Sequence, residues 1–175
     1  MKKVYLTTGL FRLQPVPVKG LGTMGVDSSW RLYWDPKIKW TVSEAAATLE
    51  HELWHLLRRH KGRQGRRDHV GWNLAGDAEI NQGELLARLP KSAVTPAQFG
   101  KPDGLLAEAY YEVLAGKSGQ SKVAGLECDD CGSGCGGPPR SWELEPDPQL
   151  EAEIELVKRA VARAIQQCGR GVDPA

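Results

Sequence analysis

An α+β fold, mainly helical with a small N-terminal β-sheet, is predicted by three features of the sequence. Proline and glycine divide residues 1–40 into short apolar stretches, a pattern typical of strands and turns. From residue 41 onwards, long segments contain no helix breaker. The last helical segment carries apolar residues on one side only. With 175 residues, of which 41% are hydrophobic, the chain is long enough for a single domain, 1–175, around one core.

The N-terminal sheet is predicted from one clear strand and its neighbours. Residues Trp30–Trp34 are rich in aromatic side chains that suit a pleated, half-buried surface, and Asp35-Pro36 ends the strand. The edge of this strand is a candidate site on which a peptide adds as an extra strand.

The first long helix is predicted to begin at a capping box. Thr41-Val42-Ser43-Glu44 has the Ser/Thr-x-x-Glu form, and no breaker follows until Gly62, so the helix should run to about Lys61. A second helix is expected from about Val70 to Leu89, ending before Pro90.

The C-terminal half is predicted to contain two further helices separated by a loop. The third helix covers about Leu105 to Leu114, and residues 116–141 are rich in Gly, Ser and Cys and indicate an irregular loop. The last helix is expected over 147–168. Its apolar positions step by three and four residues: Leu150, Ile154, Val157, Val161, Ile165 and Cys168.

Composition and charge indicate a cytoplasmic globular protein. No apolar run approaches the ~20 residues that cross a bilayer, and the first residues are too polar for a secretory signal, so no membrane association is expected. The formal net charge is only +1. Residues 58–67 nevertheless contain six Arg or Lys and no acid, which makes nucleic-acid binding through this loop one alternative function. A solvated helix end is the favoured interpretation, because no aromatic residues interleave with these charges.

The segment His51-Glu52-Leu53-Trp54-His55 has the HExxH form. On a helix, residues i and i+4 share one face, so His51 and His55 can bind a single metal ion. Glu52 is placed to act as the base that deprotonates a metal-bound water. Zinc suits this chemistry because it keeps an open position and lowers the pKa of its water to ~7. Apolar flanks place the motif on a core helix.

Two further histidines are formal candidates for the third ligand. His60 lies five residues after His55 within the basic run, whereas the extended HExxH pattern requires a histidine six residues later and a glycine where Arg58 stands. We therefore interpret His60 as a solvated residue at the helix end. His69 is a weaker candidate beside the loop and could equally be an outer-sphere or capping group.

A carboxylate on the second helix is the favoured third ligand. Asn73, Asp77 and Asn81 are spaced by four and form a polar stripe in an otherwise apolar segment, which a metal site would satisfy. Asp77 is preferred to Glu79 because it aligns with the two asparagines. Gly76 and Ala78 leave room for the first helix to approach closely. The plainer interpretation is a stripe that faces water.

The residues HELWHLLRRH followed by WNLAGDAEINQ resemble the bacterial HExxH metallopeptidase domain found N-terminal to a von Willebrand factor A-like domain. The likeness extends over nearly the whole chain, through these landmarks: Gly22–Asp27, Leu32–Pro36, Leu105–Leu114, Pro139–Glu143 and the final helix. The resemblance implies a zincin-like fold, metal ligands at His51, His55 and Asp77, and the base at Glu52. It also implies a von Willebrand factor A-like or ATPase partner.

Two secondary features carry further expectations. The spacing Cys128-x2-Cys131-x3-Cys135 is compatible with a second, structural zinc site or, as the less favoured alternative, an iron–sulfur site, while Cys168 is expected to be a buried thiol. On the third helix, Tyr111 is a candidate donor to a tetrahedral oxyanion, although a tyrosine on an apolar helix is more often a core residue. Asn73 and Asn81 are candidate outer-sphere partners of the metal ligands.

The sequence therefore predicts a zinc-dependent peptidase-type hydrolase that uses a metal-bound water activated by Glu52, with a peptide or protein as substrate. The first alternative is a non-catalytic binding or scaffold module stabilised by metal. Such a module should show a closed site with four protein ligands. Nucleic-acid binding through 58–67 is the second alternative.

Overall fold

Three short strands and seven α-helices form an α+β architecture in residues 6–115, 131–145 and 151–169, which the computed structural model describes. In chain order the elements are α1 (Thr7–Arg12), β1 (Gln14–Pro17), β2 (Met24–Val26), β3 (Arg31–Trp34), α2 (Val42–Leu57), α3 (His60–Arg63), α4 (His69–Ile80), α5 (Gly83–Leu86), a 3-10 helix (Pro96–Phe99), α6 (Ala107–Ala115) and α7 (Glu151–Gly169).

The sheet has the strand order β1-β3-β2. β1 pairs with β3 in parallel, with Gln14 opposite Arg31, and β2 pairs with β3 antiparallel, with Met24 opposite Trp34. The predicted strand is therefore present, but it is the middle strand of the sheet. The expectation that it offers an edge to a peptide is wrong, because both of its sides are already hydrogen-bonded.

Helix α2 begins as the sequence predicts and ends earlier. Thr41 and Glu44 form the reciprocal capping box at its N-terminus. The helix stops at Leu57, four residues before the predicted end, because Arg59 adopts a left-handed conformation with φ of 57°. This break lets the chain restart as α3 in a new direction and carries His60 into the interior.

The predicted second helix is divided in two. Asp68 caps α4 by accepting a hydrogen bond from Gly71 N, and the helix ends at Ile80 rather than at Leu89. Asn81 leaves the helical conformation with ψ of 71°. Its side chain is hydrogen-bonded to His51 and to the carbonyl of Val94, and these bonds compete with continuation of the helix.

Two apolar clusters flank the contact between α2 and α4. One joins the sheet, α2 and α7 through residues such as Val26, Trp30 and Leu53. The other joins α4 and α6 through residues such as Trp72 and Tyr110. Buried polar side chains, among them His51, His55 and Asp77, are found where α2 meets α4, between these two apolar clusters.

The C-terminal helix α7 carries the predicted stripe over part of its length. Ile154 and Val161 are buried, but Ile165 is 40% exposed, so the stripe fades towards the end of the helix. Residues 116–130 and 146–150, and the side chain of Cys168, lie outside the described residues. Among the helices that the structure describes, none combines the length and apolar character needed to cross a membrane.

Candidate metal centre

Four side chains converge where α2 meets α4. His51 Nε2 lies 3.0 Å from His55 Nε2 and 3.5 Å from Asp77 Oδ1, and His55 Nε2 lies 3.1 Å from the same oxygen. Cys131 Sγ is 3.7 Å from His51 Nε2 and 3.9 Å from Asp77 Oδ1. All four residues are buried, and their donor atoms lie within 4.8 Å of one another.

The spacing of these atoms fits a divalent cation. Nitrogen, oxygen and sulfur ligands at tetrahedral angles around zinc are separated by about 3.3 to 3.6 Å, given zinc–ligand distances of about 2.0 to 2.3 Å. The separations observed here scatter around those values. Imidazole, carboxylate and thiol together form a donor set that suits zinc and does not suit magnesium or calcium, which take oxygen ligands.

The outer nitrogens of both histidines support the same conclusion. His51 Nδ1 lies 2.7 Å from Asn81 Oδ1, and Asn81 in turn donates from Nδ2 to the carbonyl of Val94. The bond to Val94 fixes the orientation of this amide, and its carbonyl oxygen therefore accepts a hydrogen bond from the N–H at His51 Nδ1. In the neutral form of His51, the Nε2 atom is then left with a lone pair directed at the cluster, as a metal ligand requires.

A hydrogen-bond relay that runs through His60 to Glu79 fixes the orientation of the His55 ring. Its Nδ1 atom lies 2.8 Å from His60 Nδ1, and His60 Nε2 lies 3.3 Å from Glu79 Oε2. Because the carboxylate of Glu79 accepts the His60 Nε2 proton, His60 Nδ1 is the acceptor for the Nδ1 proton of His55. The Nε2 of His55 is therefore also directed at the cluster as a lone pair.

His60 is the residue that sequence reasoning misjudged most. It was expected at a solvated helix end, and it is 0% exposed. Its ring lies against Gly76 on α4, where an added Cβ would stand 2.8 Å from His60 Nδ1. The expectation that Gly76 leaves room for close approach is confirmed, although the group that fills this room is His60. No signal in the local sequence indicates the turn at Arg59 that directs His60 inward.

Glu79 anchors the far end of the relay and is not a member of the metal cluster. Its carboxylate accepts hydrogen bonds from Arg58, from Arg63 and from the backbone N–H of Ala107. Burial opposes ionisation, but hydrogen bonds from His60 and Arg63 outweigh it, and the pKa of Glu79 is strongly lowered. Two cations of the basic run 58–67 are thus engaged within the molecule, which weakens the case for a nucleic-acid surface.

The pKa values of His51 and His55 are shifted in opposite directions. Burial lowers the pKa of His55 to about 3. For His51, burial also acts downwards, but its hydrogen bond to Asp77 outweighs that effect and raises the pKa. Asp77 is held ionised, its pKa lowered to about 2 by the two histidines against the effect of burial. A single positive charge is therefore favoured between the two Nε2 atoms and the carboxylate, and a cation among these ligands would supply it.

Glu52 is buried, 2% exposed, one residue after His51. Its carboxylate belongs to a second group of donor atoms with Cys131 and Cys135, all within 4.8 Å of one another. Cys131 is the member that the two groups share. The cysteine site predicted at Cys128, Cys131 and Cys135 stays a prediction, because Cys128 lies outside the described residues. Cys131 and Cys135 lie beside Glu52, and Cys131 also contacts the histidine cluster.

The remaining candidate residues lie in different places. Asn73 Nδ2 is 3.8 Å from Cys131 Sγ, which places this asparagine beside the cluster. The hydroxyl of Tyr111 donates to Asp68 Oδ2 at the N-terminus of α4, so the structure does not bring it to the cluster as an oxyanion donor. His69 is exposed at the start of α4.

A cavity of about 300 Å³ opens onto the cluster. His51, Asp77 and Cys131 form its floor, and the chain after α5 forms much of its wall. The lining residues are Thr48, His51, Asp77, Asn81, Leu89, Pro90, Ser92, Ala93, Val94 and Cys131. The donor atoms of the cluster are therefore accessible to a small group that enters from this side.

Comparison with known proteins gives one positive result. A family model described as "Putative metallopeptidase domain" matches residues 1–173. No curated protein and no solved structure gives a significant match.

Proposed function

We propose, from the premise that this chain belongs to the metallopeptidase-domain family whose model it matches over residues 1–173, that it is a zinc-dependent hydrolase of peptide bonds. His51, His55 and Asp77 are the three ligands, and Glu52 is the base. The fold is zincin-like, with the HExxH segment on a core helix, and residues 1–175 act as one domain.

One observation carries this proposal. The donor atoms of His51, His55 and Asp77 lie 3.0 to 3.5 Å apart at the floor of a cavity. Each histidine has a hydrogen-bond partner on its outer nitrogen. Three-ligand centres of this kind are typical of catalytic zinc, because a fourth position is left for a reacting group.

The chemistry divides between the ion and the chain. When bound, zinc would polarise a water and a substrate carbonyl and lower the pKa of the water towards ~7. Glu52 takes a proton from the water and later delivers it to the leaving amine. The cavity wall around Val94 and Ala93 holds the peptide beside the cluster, and its apolar character excludes competing water.

Replacing Glu52 with Gln tests this assignment. Hydrolysis of a denatured-protein or peptide mixture, followed by mass spectrometry of new termini, should fall by at least ~100-fold because the base is lost. Metal content, measured by elemental analysis, should stay at the wild-type value. Glu50→Gln is the matched control: Glu50 is on the same helix, but it pairs with Arg88 and should leave hydrolysis unchanged.

Two results with these variants would contradict the proposal. Hydrolysis that persists in Glu52→Gln would show that another group is the base. Loss of metal in the same variant would show that Glu52 is a ligand.

A specific observation also favours a second candidate function, the metal-stabilised binding or scaffold module. Cys131 provides a fourth donor atom beside the other three, as a closed structural centre would require. In that case, chelation should unfold the protein, and no variant of Cys131 should hydrolyse peptides. A von Willebrand factor A-like or ATPase partner remains an expectation from the family resemblance for either function.

A further inference from the structure

We propose that Cys131 is a fourth ligand in the resting metal centre, and that residues 131–137, the cysteine segment, hold it there as a latch that blocks hydrolysis until it is released. This inference rests on the proposed function. A structural zinc centre has four protein ligands and a catalytic one has three. Binding and release of Cys131 would convert the one kind of centre into the other.

The position of Cys131 is the first argument. A water that reacts must lie within reach of both the metal ligands and the carboxylate of Glu52. Cys131 Sγ is within 4.8 Å of the donor atoms of His51, His55 and Asp77, and also of the Glu52 carboxylate. Its sulfur therefore occupies the region that the attacking water needs.

The chemistry of the thiol is the second argument. A thiolate is a strong zinc ligand, and four protein ligands leave a tetrahedral zinc without an open position. Cys131 is buried and not part of a disulfide, and as a ligand it would bind the ion as a thiolate after losing its proton to solvent. With Cys131 bound, the centre is closed, and the nearby Glu52 has no water to act on.

The third argument is the position of the cysteine segment, which is hydrogen-bonded to the edge of β2. Val26 N donates to the carbonyl of Cys131 over 2.8 Å, and Gly134 N donates to the carbonyl of Val26 over 2.8 Å. Val26 lies on β2, which is an edge strand of the sheet and packs against α2. The segment thus uses the backbone groups that an extended peptide would use when it adds to this edge.

Glycines in the segment and in β2 allow the two to approach each other closely. Gly132 has φ of +86°, and a Cβ at this residue would stand 2.5 Å from the carbonyl oxygen of Val26. At Gly25, an added Cβ would meet the backbone of Cys131 at 3.1 Å. Glycine at both positions allows the segment to lie directly on β2, and the approach that results directs Cys131 into the cluster.

Anchors further along hold the segment without preventing its release. Glu143 accepts hydrogen bonds from the backbone N–H and the hydroxyl of Ser133, and Gln64 accepts one from Gly137 N. These are polar bonds that water can replace. On release, the Cys131 thiolate leaves the centre and takes up a proton, and water enters through the cavity that Cys131 lines.

Cobalt substitution tests the ligand directly, without reference to activity. The protein comprising residues 1–175 is loaded with one equivalent of Co²⁺, and its near-ultraviolet spectrum is recorded for a sulfur-to-cobalt charge-transfer band. The wild-type protein should show this band, and Cys131→Ala should bind Co²⁺ without it. Cys135→Ala is the matched control, since this buried thiol donates to the Cys131 carbonyl and its loss should leave the band.

A second variant releases the segment while all four donor residues remain. Gly132→Ala places a methyl group against the carbonyl of Val26 and should weaken the band. Gly104→Ala is its control, because Gly104 also has positive φ, +87°, but an added Cβ meets nothing within 4 Å. If the open form of the wild type is at most about a tenth of the population, Cys131→Ala should raise hydrolysis at least about tenfold, and Gly132→Ala should raise it by a smaller factor that follows the loss of its band.

The outcomes separate this inference from the proposed function. If the wild type hydrolyses peptides in a Glu52-dependent manner but shows no sulfur band, the latch is wrong and the proposed function stands. If the band is present and is lost in Cys131→Ala without any rise in hydrolysis, Cys131 is a ligand but not a latch. If no variant hydrolyses peptides, the proposed function fails. If the band is lost only in Cys135→Ala, the sulfur ligand is Cys135 and the assignment to Cys131 is wrong.

Discussion

Gly76 shows how closely the centre depends on the size of single residues. The ring of His60 fills the space that a side chain at position 76 would occupy, and His60 in turn fixes the outer nitrogen of His55. Since His60 is buried, its ring cannot move aside without disturbing both His55 and Glu79. A methyl group at this point of α4 would therefore displace the His60 ring and, through it, the ring of His55, one of the proposed ligands.

Gly76→Ala is expected to lower the free energy of unfolding by about 1–3 kcal/mol, because overpacking outweighs the better helix propensity of alanine. Chemical denaturation measures this change. Gly62→Ala is the control, since Gly62 is helical and an added Cβ there meets nothing within 4 Å. Its effect should be neutral or stabilising by up to about 1 kcal/mol. Equal effects of the two substitutions would contradict the packing argument.

At the scale of elements, Glu79 joins three helices. From α4 it accepts hydrogen bonds from Arg63 on α3 and from the N–H of Ala107 at the start of α6, and it also contacts His60. The charge of the basic run is thus used to neutralise a buried carboxylate. This arrangement explains why the helix that the sequence predicts to Lys61 breaks: α3 must turn to bring His60 and Arg63 over α4.

Glu79→Gln is expected to destabilise the fold by about 1–3 kcal/mol, because it removes the buried carboxylate that accepts hydrogen bonds from Arg58, Arg63 and the N–H of Ala107. The Tm and the denaturation midpoint measure this loss. Glu108→Gln removes the other carboxylate that pairs with Arg63, but this side chain is 34% exposed. The control should cost no more than about 1 kcal/mol. A similar cost for both would show that the burial of Glu79 contributes little.

At the scale of the whole molecule, the candidate metal centre lies between two apolar clusters. α2 and the cysteine segment pack in the cluster with the sheet and α7, whereas α4 packs in the cluster with α6. His51 and His55 come from the first half, Asp77 from the second, and Cys131 from a segment far along the chain. A bound ion would therefore add a cross-link between α2 and α4, which also meet through a smaller apolar cluster of Ala47, Ile80 and Leu85.

Metal removal is expected to lower the Tm of the whole domain. An ion present at about 100 times its Kd stabilises the folded state by about 2.7 kcal/mol, which corresponds to roughly 5–10 °C for a domain of this size. Calorimetry with and without a chelator measures the difference. Asp77→Ala should bind the ion more weakly and respond less to the chelator. A Tm that does not change in the wild type would count against a bound metal that supports the fold.

Much of the site could be predicted from sequence because its signals are local. A helix places residues four apart on one face, so His51 with His55, and Asn73 with Asp77 and Asn81, could be grouped without knowledge of the fold. The capping box at Thr41 has the same basis. Asp77 was preferred to Glu79 on this periodicity, and the structure brings Asp77 to the two histidines.

Only the tertiary structure decided the positions of His60 and Cys131. The inward turn of His60 depends on a left-handed Arg59 and on an empty space at Gly76, which belong to different helices. Cys131 reaches the cluster because its segment lies on the edge of β2, more than a hundred residues earlier in the chain. The sequence by itself determined the helical faces that carry ligands, since those follow from backbone geometry. Which faces and loops meet depends on packing between distant segments, and no short-range pattern encodes it.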